Sequence, residues 1–418
     1  MKKRLSAPEL AGVVAIILLL LSVVTYANYR YTSQNPGGND FLSRWVGTRL
    51  FLTRGSSPYG EQATRQIHEL AYGRDAQPGE DQMLFAYPFY SVVIVAPFAL
   101  ISEYSLARAI WMTALEIALI VIAFTGLSLS RWKPSIWLLS FLLIFSLLWY
   151  YGLRPVINGN LAIVVALLIG LALLVINAEL DALAGFLIAL ASIKPQMVVL
   201  LIPLLCVWTI SHRRWSFIGS FLGSLALLIA GFSLFIPDWL VQNLRQVLSY
   251  PTYTLPSTTQ AIIANWLPGV GRQVGWGITI LMMILLLVEW RAVIGKEFRW
   301  LLWTTCLTLV ITNLIGIQTA TENYVAMFMA LVLVFAVWEE RWWRYGRWLV
   351  LVTMLFLLFG VWSLFVRTLQ VGDQPIQHPI MFIIYPVFLL LSLYWVRWWA
   401  IRPPRLFVEQ FFDVRGAT

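Results

Sequence analysis

The feature that most constrains this chain is the recurrence of apolar runs, each long enough for one helix to cross a bilayer, along its whole 418 residues. A helical span needs roughly 17–25 such residues. The first run, from about Leu10 to Tyr26, follows Met1-Lys2-Lys3-Arg4. No small-residue cleavage site comes after it, so it reads as a retained signal-anchor helix. Further runs lie near 87–102, 106–128, 136–151, 160–176, 182–210, 215–236, 273–290, 298–315, 324–338, 347–366 and 380–400. The run 182–210 is long for one helix and short for two, and Lys194-Pro195 interrupts its middle, the pattern of half-helices. Counting it once gives about twelve crossings with both termini in the cytoplasm, and counting it twice gives about thirteen. Twelve is preferred, although it leaves Arg131 and Lys133 on the outer side.

Composition excludes the soluble alternative. The chain is 60% hydrophobic and 12% charged, against roughly 25% charged residues in soluble domains, and a water-soluble fold could not hide so much apolar surface. The net charge of +9 does not point to nucleic acid, because Lys and Arg sit in short tethers: His212-Arg213-Arg214-Trp215, Arg291 to Arg299, Glu339 to Arg347, and Arg402-Pro403-Pro404-Arg405. With Trp342, Trp343, Trp398 and Trp399 beside them, these are positive-inside signals and an interfacial belt. Cys206 and Cys306 fall inside apolar runs, which indicates neither a disulfide framework nor a zinc site. The expected fold is an all-α polytopic membrane protein, read as one domain over 1–418. Its polar, irregular segments on the outer side are 28–86, 237–272, 316–323 and 367–379.

In the first of these, apolar residues at 41, 42, 45, 46, 50 and 52, with Arg44, Thr48 and Arg49 between them, predict a helix lying flat in the interface. Gly55 ends it and Ser56 to Tyr59 make a turn. A second, polar helix is expected from Gly60 to about Tyr72. Asp40 carries the most weight. As part of Asn39-Asp40 it is an N-cap; as a carboxylate at the lipid–water boundary it is a general base. The two roles are compatible. Arg44, one turn on, shares its face and either holds it ionised, meets a phosphate or makes a plain surface pair.

An N-terminal span, Asp40-Phe41 heading an interfacial helix, Gly55 to Tyr59 as Gly-x-x-Pro-Tyr, Phe85 to Pro88 as Phe-x-Tyr-Pro, Asn158-Gly159-Asn160 before an apolar run and Ser192-Ile193-Lys194-Pro195-Gln196 come in that order. Together they resemble the polyprenol-phosphate-mannose-dependent mannosyltransferases of glycosyltransferase family 87, which have the membrane GT-C fold. The likeness covers roughly the first half of the chain; the rest follows by hydropathy. It implies an inverting transfer of a sugar, mannose first, from a polyprenyl-phosphate donor to a hydroxyl acceptor on a lipid or glycan, at the outer face of the plasma membrane. It also implies no nucleotide sugar and no metal, and the chain is read as a monomer.

On that resemblance Asp40 aligns with the family's base. Lys194 is the first candidate for the donor phosphate, with Arg44, Arg154 and Tyr87 beside it, because a lysine inside an apolar run costs about 2.5–3.5 kcal/mol on insertion scales. Lys194 can also snorkel or pair with a structural carboxylate such as Glu116. Asn160, Gln196, Tyr253, Gln260, Glu322 and Asn323 are candidates for sugar or acceptor contacts. Each has a plainer use: Asn160 as a helix cap, Tyr87 as an interfacial aromatic, the 249–260 stretch as an ordered loop. Where the family often carries a His, this chain reads Gln318 to Tyr324 without one. A transporter or flippase of lipid-linked sugars would also want intramembrane charge but predicts repeated halves, and none is present. Another GT-C enzyme, using a polyprenyl-phosphate pentose or aminoarabinose, would share the mechanism.

Overall fold

The structure is a computed structural model that describes residues 6–77, 80–253, 258–315, 320–369 and 377–402. Among these residues it is helical, without strands. In chain order the helices are α1 (Ala7–Gln34), α2 (Asn39–Arg54), α3 (Glu61–Tyr72), α4 (Val92–Ala99), α5 (Tyr104–Ser130), α6 (Ile136–Leu148), α7 (Tyr150–Asn158), α8 (Ala162–Asn177), α9 (Asp181–Ala191) and α10 (Pro195–Val198). There follow α11 (Leu201–Ser211), α12 (Trp215–Ser233), α13 (Trp239–Tyr253), α14 (Thr259–Trp266), α15 (Gly271–Val293), α16 (Phe298–Thr312), α17 (Phe328–Leu355), α18 (Val361–Thr368) and α19 (Ile384–Ala400).

Seven helical stretches are long and apolar enough to cross a membrane, or eight if α6 and α7, bent by 44°, act as one span. An all-α polytopic membrane protein is thus what folds, but four expected spans do not reach that length: 160–176 and 298–315 fold as α8 and α16, of 16 and 15 residues, and the other two are built otherwise. The run 87–102 holds a 3-10 turn (Phe89–Ser91) and the short α4, which contains Pro97 and is too short to cross. The run 182–210 is a hairpin. Arg214 Nε donates to Asp181 Oδ2 at 2.9 Å, and Ser220 Oγ donates to the Ala182 carbonyl at 2.6 Å. The two ends of 181–211 therefore meet, and Lys194-Pro195 lies at the apex between the two half-helices.

The chain divides into two compact units. One comprises Met1–Leu119, Gly152–Val164 and Leu227–Thr254; the other comprises Ile120–Tyr151, Val165–Ala226 and Leu255–Thr418. In the first, α1 exposes the apolar side chains of Leu10 to Val24, as a lipid-facing helix does. One polar patch ties it down: Asn28 Nδ2 donates to Thr113 Oγ1 (3.0 Å) and Glu116 Oε2 (3.1 Å) on α5. Without water, such bonds and close packing replace the hydrophobic effect between helices. Glu116 is accordingly a structural partner of Asn28.

α2 differs from the expected flat interfacial helix. Its bounds match, and Gly55 closes it in the left-handed conformation, but Phe41 to Thr48 are all buried. The reason is that α3 and α4 pack on it together. Arg49 Nη1 donates to the Ala99 carbonyl at 2.9 Å, satisfying an end of α4 that has no helical partner of its own. The polar helix foreseen from Gly60 is α3, and α1 runs further than Tyr26, so the first loop opens at Asn35.

In the second unit α16 is the axis. Leu301 to Thr312 are all buried, and α10, α11, α15, α19 and the 3-10 helix Thr321–Met327 lean on it. Trp303 Nε1 donates to the Leu393 carbonyl at 3.0 Å, and Arg397 Nη2 reaches Glu289 Oε2 at 2.8 Å. The buried Glu289 carboxylate is thus paired with a half-buried guanidinium.

Candidate active site

The first unit assembles a polar cluster at the start of α2. The chain leaves α1 and enters α2 through Gly37 and Gly38, the latter at φ 74 and ψ 40. A side chain on Gly38 would overlap Arg108 Nε, so only glycine fits that left-handed position. Gly38 is itself the N-cap of α2, and no side chain caps the helix. The expected capping role of Asn39-Asp40 is therefore not taken, and Asp40, in the first turn, has both carboxylate oxygens available for other partners. Its charge still suits the helix N-terminus.

Arg108 anchors the approach. Its Nη1 donates to the Asn35 carbonyl (2.8 Å) and its Nη2 to the Ile157 carbonyl (3.0 Å). The Tyr104 hydroxyl lies 2.9 Å from the Gly37 carbonyl and 3.1 Å from that of Gly38. Opposite, Gly159 turns at φ 69 with its Cα against Phe41, and its carbonyl accepts from Trp111 Nε1 at 2.9 Å. Phe41 stacks on Trp111 at 5.5 Å between centroids.

These contacts bring Asn160 to Asp40. Asn160 Nδ2 donates to Asp40 Oδ2 at 2.8 Å, while Asn160 Oδ1 accepts the Ala162 N–H at 2.9 Å. The second bond caps α8 and fixes which face of the amide meets the carboxylate. The amide thus serves as the helix cap, the plainer reading of Asn160, and bonds Asp40 at the same time. On the other oxygen, Arg44 Nη1 stands 3.6 Å from Asp40 Oδ1, and its guanidinium lies 4.2 Å over the Tyr87 ring. Tyr87 is held in turn, its carbonyl accepting from the Tyr59 hydroxyl at 2.6 Å. The Gly-x-x-Pro-Tyr turn thus braces the Phe-x-Tyr-Pro segment. The exposures differ: the Asp40 side chain is 28% exposed and that of Arg44 only 11%. The carboxylate is the more open of the two groups.

Asp81 joins this neighbourhood and was not singled out from the sequence. Burial raises its pKa above the ordinary Asp value, and the Asp40 charge adds to the rise, against the Met83 N–H and Arg44, which lower it. An acidic pair in a polar loop, Glu80-Asp81, is too common a pattern to mark a site. Arg108 was equally missed, yet the cost of a charge inside an apolar run, the signal that marked Lys194, applies to it as well.

Arg154 is half-buried on α7 in the same unit. The remaining candidates belong to the second unit or to the edge of the description. Lys194, 3% exposed, sits between α9 and α10 in a non-helical conformation (φ −127, ψ 78), and Gln196 is half-buried on α10. Glu322 and Asn323 are buried on the 3-10 helix Thr321–Met327, and residues 316–319 lie outside the described residues. Gln260 is buried on α14 with its amide donating to Thr279 Oγ1, a contact that packs α14 on α15. Tyr253 ends α13, and its side chain lies outside the described residues.

A family model described as glycosyltransferase family 87 matches residues 85–315, more than half of the chain. The match opens at Phe85 and takes in Tyr87, Asn160 and Lys194; α2 and Asp40 precede it. No curated protein and no solved structure matches.

Proposed function

Because the chain belongs to glycosyltransferase family 87, we propose that it moves a sugar, mannose first, from a polyprenyl-phosphate carrier to a hydroxyl acceptor on a lipid or glycan. The reaction is a single inverting displacement with Asp40 as general base. The observation that carries this reading is the carboxylate of Asp40, oriented by Asn160 and Arg44 yet still open. As the acceptor oxygen attacks the anomeric carbon, its proton passes to Asp40. The bond from that carbon to the phosphate oxygen breaks, and its electron pair leaves with the phosphate. That leaving group is already an anion, so what it needs is cationic stabilisation as its charge grows. Arg44, its guanidinium over the Tyr87 ring, is assigned to that task; the resemblance of the segment 192–196 to the family's Lys-Pro motif offers Lys194 for the same role. Lys2, Lys3 and Arg4 ahead of α1 favour a cytoplasmic N-terminus, which supports placing Asp40, just past the far end of α1, on the non-cytoplasmic face of the plasma membrane.

The test is transfer in proteoliposomes from three radiolabelled donors offered separately: polyprenyl-phosphate mannose, polyprenyl-phosphate aminoarabinose and a nucleotide-linked mannose. Label is expected to move from polyprenyl-phosphate mannose. Transfer from aminoarabinose alone would change the sugar, and transfer from the nucleotide donor alone would end the proposal.

Replacing the buried ammonium tests the phosphate role by itself. Lys194→Met is expected to lower kcat by about a hundredfold, the scale of one preorganised charge donor, while the protein remains monodisperse in detergent. Lys194→Arg should recover part of the loss. Wild-type kcat in the Met variant would remove Lys194 from the chemistry.

A further inference from the structure

We propose that the second unit binds one phospholipid of the cytoplasmic leaflet by its head group. Arg131 and Arg299 hold the phosphate, and Glu297 holds a primary ammonium, as found in phosphatidylethanolamine. The inference stands apart from sugar transfer and from the cluster at the head of α2.

The residues come from three places in the chain. Arg131 follows α5, Asn177 ends α8, and Glu297, Phe298 and Arg299 lead into α16. With Leu129 they line a cavity of about 200 Å³, several times the roughly 30 Å³ share of one liquid water. Arg131, Asn177 and Glu297 are exposed, Phe298 and Arg299 are half-buried, and Leu129 is buried. Polar groups thus stand where water reaches, and the apolar side chains lie deeper.

The donors here are unmet. Arg299 Nη1 is buried with no hydrogen-bond partner. Such a donor costs about 1–3 kcal/mol, more when charged, and points to a group that completes it. Among the described residues, the Arg131 guanidinium has no hydrogen bond or ion pair either. Glu297 is the N-cap of the 15-residue α16 but makes no side-chain cap hydrogen bond, so the first N–H groups of that helix add to the pull on an anion. Two guanidiniums suit phosphate oxygens, which they meet with paired, charge-assisted hydrogen bonds.

The carboxylate decides between head groups. A plain anion would leave Glu297 facing a second negative charge, whereas an ammonium on a short arm from the phosphate gives it a partner. Glu340, on α17, is a further negative charge acting on Arg299, and it too favours a head group with no net charge.

The same end of this unit gathers the basic tethers. Trp132, between Arg131 and Lys133, donates its Nε1–H to Glu339 Oε2 at 2.6 Å, near Arg341 and Arg344. Trp208 Nε1, ahead of Arg213 and Arg214, donates to the Lys296 carbonyl at 2.9 Å, next to Glu297. Lys and Arg gathered between spans mark the cytoplasmic side. The count of crossings agrees: with 87–102 too short to cross, α5 is the second span, and Arg131 and Lys133 fall inside rather than outside. Basic pockets between helices on that side are recurrent lipid head-group sites.

The experiment is native mass spectrometry of the full chain, stripped of lipid in detergent and offered dioleoyl phosphatidylethanolamine, phosphatidylglycerol or phosphatidylcholine. One phosphatidylethanolamine is expected to bind, about tenfold or more tighter than the other two, which cannot give Glu297 an ammonium hydrogen bond. Arg131→Gln and Arg299→Gln should each raise its Kd about 10- to 100-fold, the scale of one hydrogen bond to a charged group. Glu297→Gln should abolish the preference over phosphatidylcholine. Arg131 and Glu297 are exposed, so their variants keep the test open if Arg299→Gln fails to fold. Arg344→Gln removes an exposed arginine from the turn between the spans Thr321–Trp342 and Arg344–Thr368, outside the cavity, and should leave binding unchanged. Equal affinity for the three lipids, wild-type affinity in Arg131→Gln, or an equal loss in Arg344→Gln would overturn the inference. So would inorganic phosphate displacing the lipid at equal concentration, which would make the ligand free phosphate. Every readout is binding, so the result is the same whether or not the chain transfers sugar.

Discussion

Asp40→Asn is expected to reduce sugar transfer by about a thousandfold, within the range of 10²–10⁴ that general-base catalysis contributes, with donor KM changed by only a few fold. The substitution is nearly isosteric. An amide oxygen can still accept from Asn160 Nδ2, which lies 2.8 Å from Asp40 Oδ2 in the native site. The amide nitrogen then faces Arg44 where Oδ1 faced it, 3.6 Å away, so one charge pair is lost along with the base. Asp40→Glu separates the two effects. It keeps the charge but moves the carboxylate outward by a methylene, and misplacement by about 1 Å costs on the order of a hundredfold. Initial rates with the three proteins, each reconstituted at equal density, check the order wild type, Glu, Asn. Equal rates for wild type and Asn would take Asp40 out of the mechanism.

Gly159→Ala should cost about 10- to 100-fold in the same assay without touching a reacting group. A Cβ there would stand 2.5 Å from Phe41 Cβ and 3.2 Å from Trp111 Cδ1. Phe41 is the neighbour of Asp40 in sequence, and Asn160 is the neighbour of Gly159. Relief of the clash therefore separates the carboxylate from the amide that orients it, a displacement of the size that weakens catalysis. The backbone at φ 69 adds roughly 1–2 kcal/mol of left-handed strain for any residue with a side chain. Gly55→Ala is the control, because Gly55 has nearly the same φ (65) and nothing within 4 Å of an added Cβ. Both variants should melt at lower temperature by thermal-shift measurement, and only Gly159→Ala should lose transfer. Equal rates in the two would mean that the contact between Phe41 and Gly159 does not position Asp40.

How far these features can be read from residues alone differs from element to element. The bounds of α2 and α3 were legible because Gly55 and Gly60 punctuate a polar loop with clear turn chemistry. The burial of α2 was not, since its apolar face was read against lipid, and the packing of α3 and α4 on it depends on residues distant in sequence. Asp40 was expected to cap α2, and it does not. The cap went to Gly38, whose left-handed turn is set by the Arg108 side chain some seventy positions on and by no local pattern. Hydropathy located the apolar stretches but not their path. An apolar hairpin around Lys194-Pro195 and a single broken span have the same composition, and the contacts of Arg214 with Asp181 and of Ser220 with Ala182 distinguish them. Asp81 and Arg108 were passed over for opposite reasons, one in a loop where acids are ordinary, the other in an apolar run where a charge should have stood out.

The central claim, that the phosphosugar reacts at the head of α2, is tested most directly by a cryo-EM map of the full chain with a non-transferable phosphonate analogue of polyprenyl-phosphate mannose. The account predicts the sugar ring beside Asp40 and Asn160, with room for one hydroxyl between the carboxylate and an anomeric carbon roughly 3–3.5 Å from that hydroxyl. A sugar bound elsewhere, with the Asp40 carboxylate facing only solvent, would contradict it.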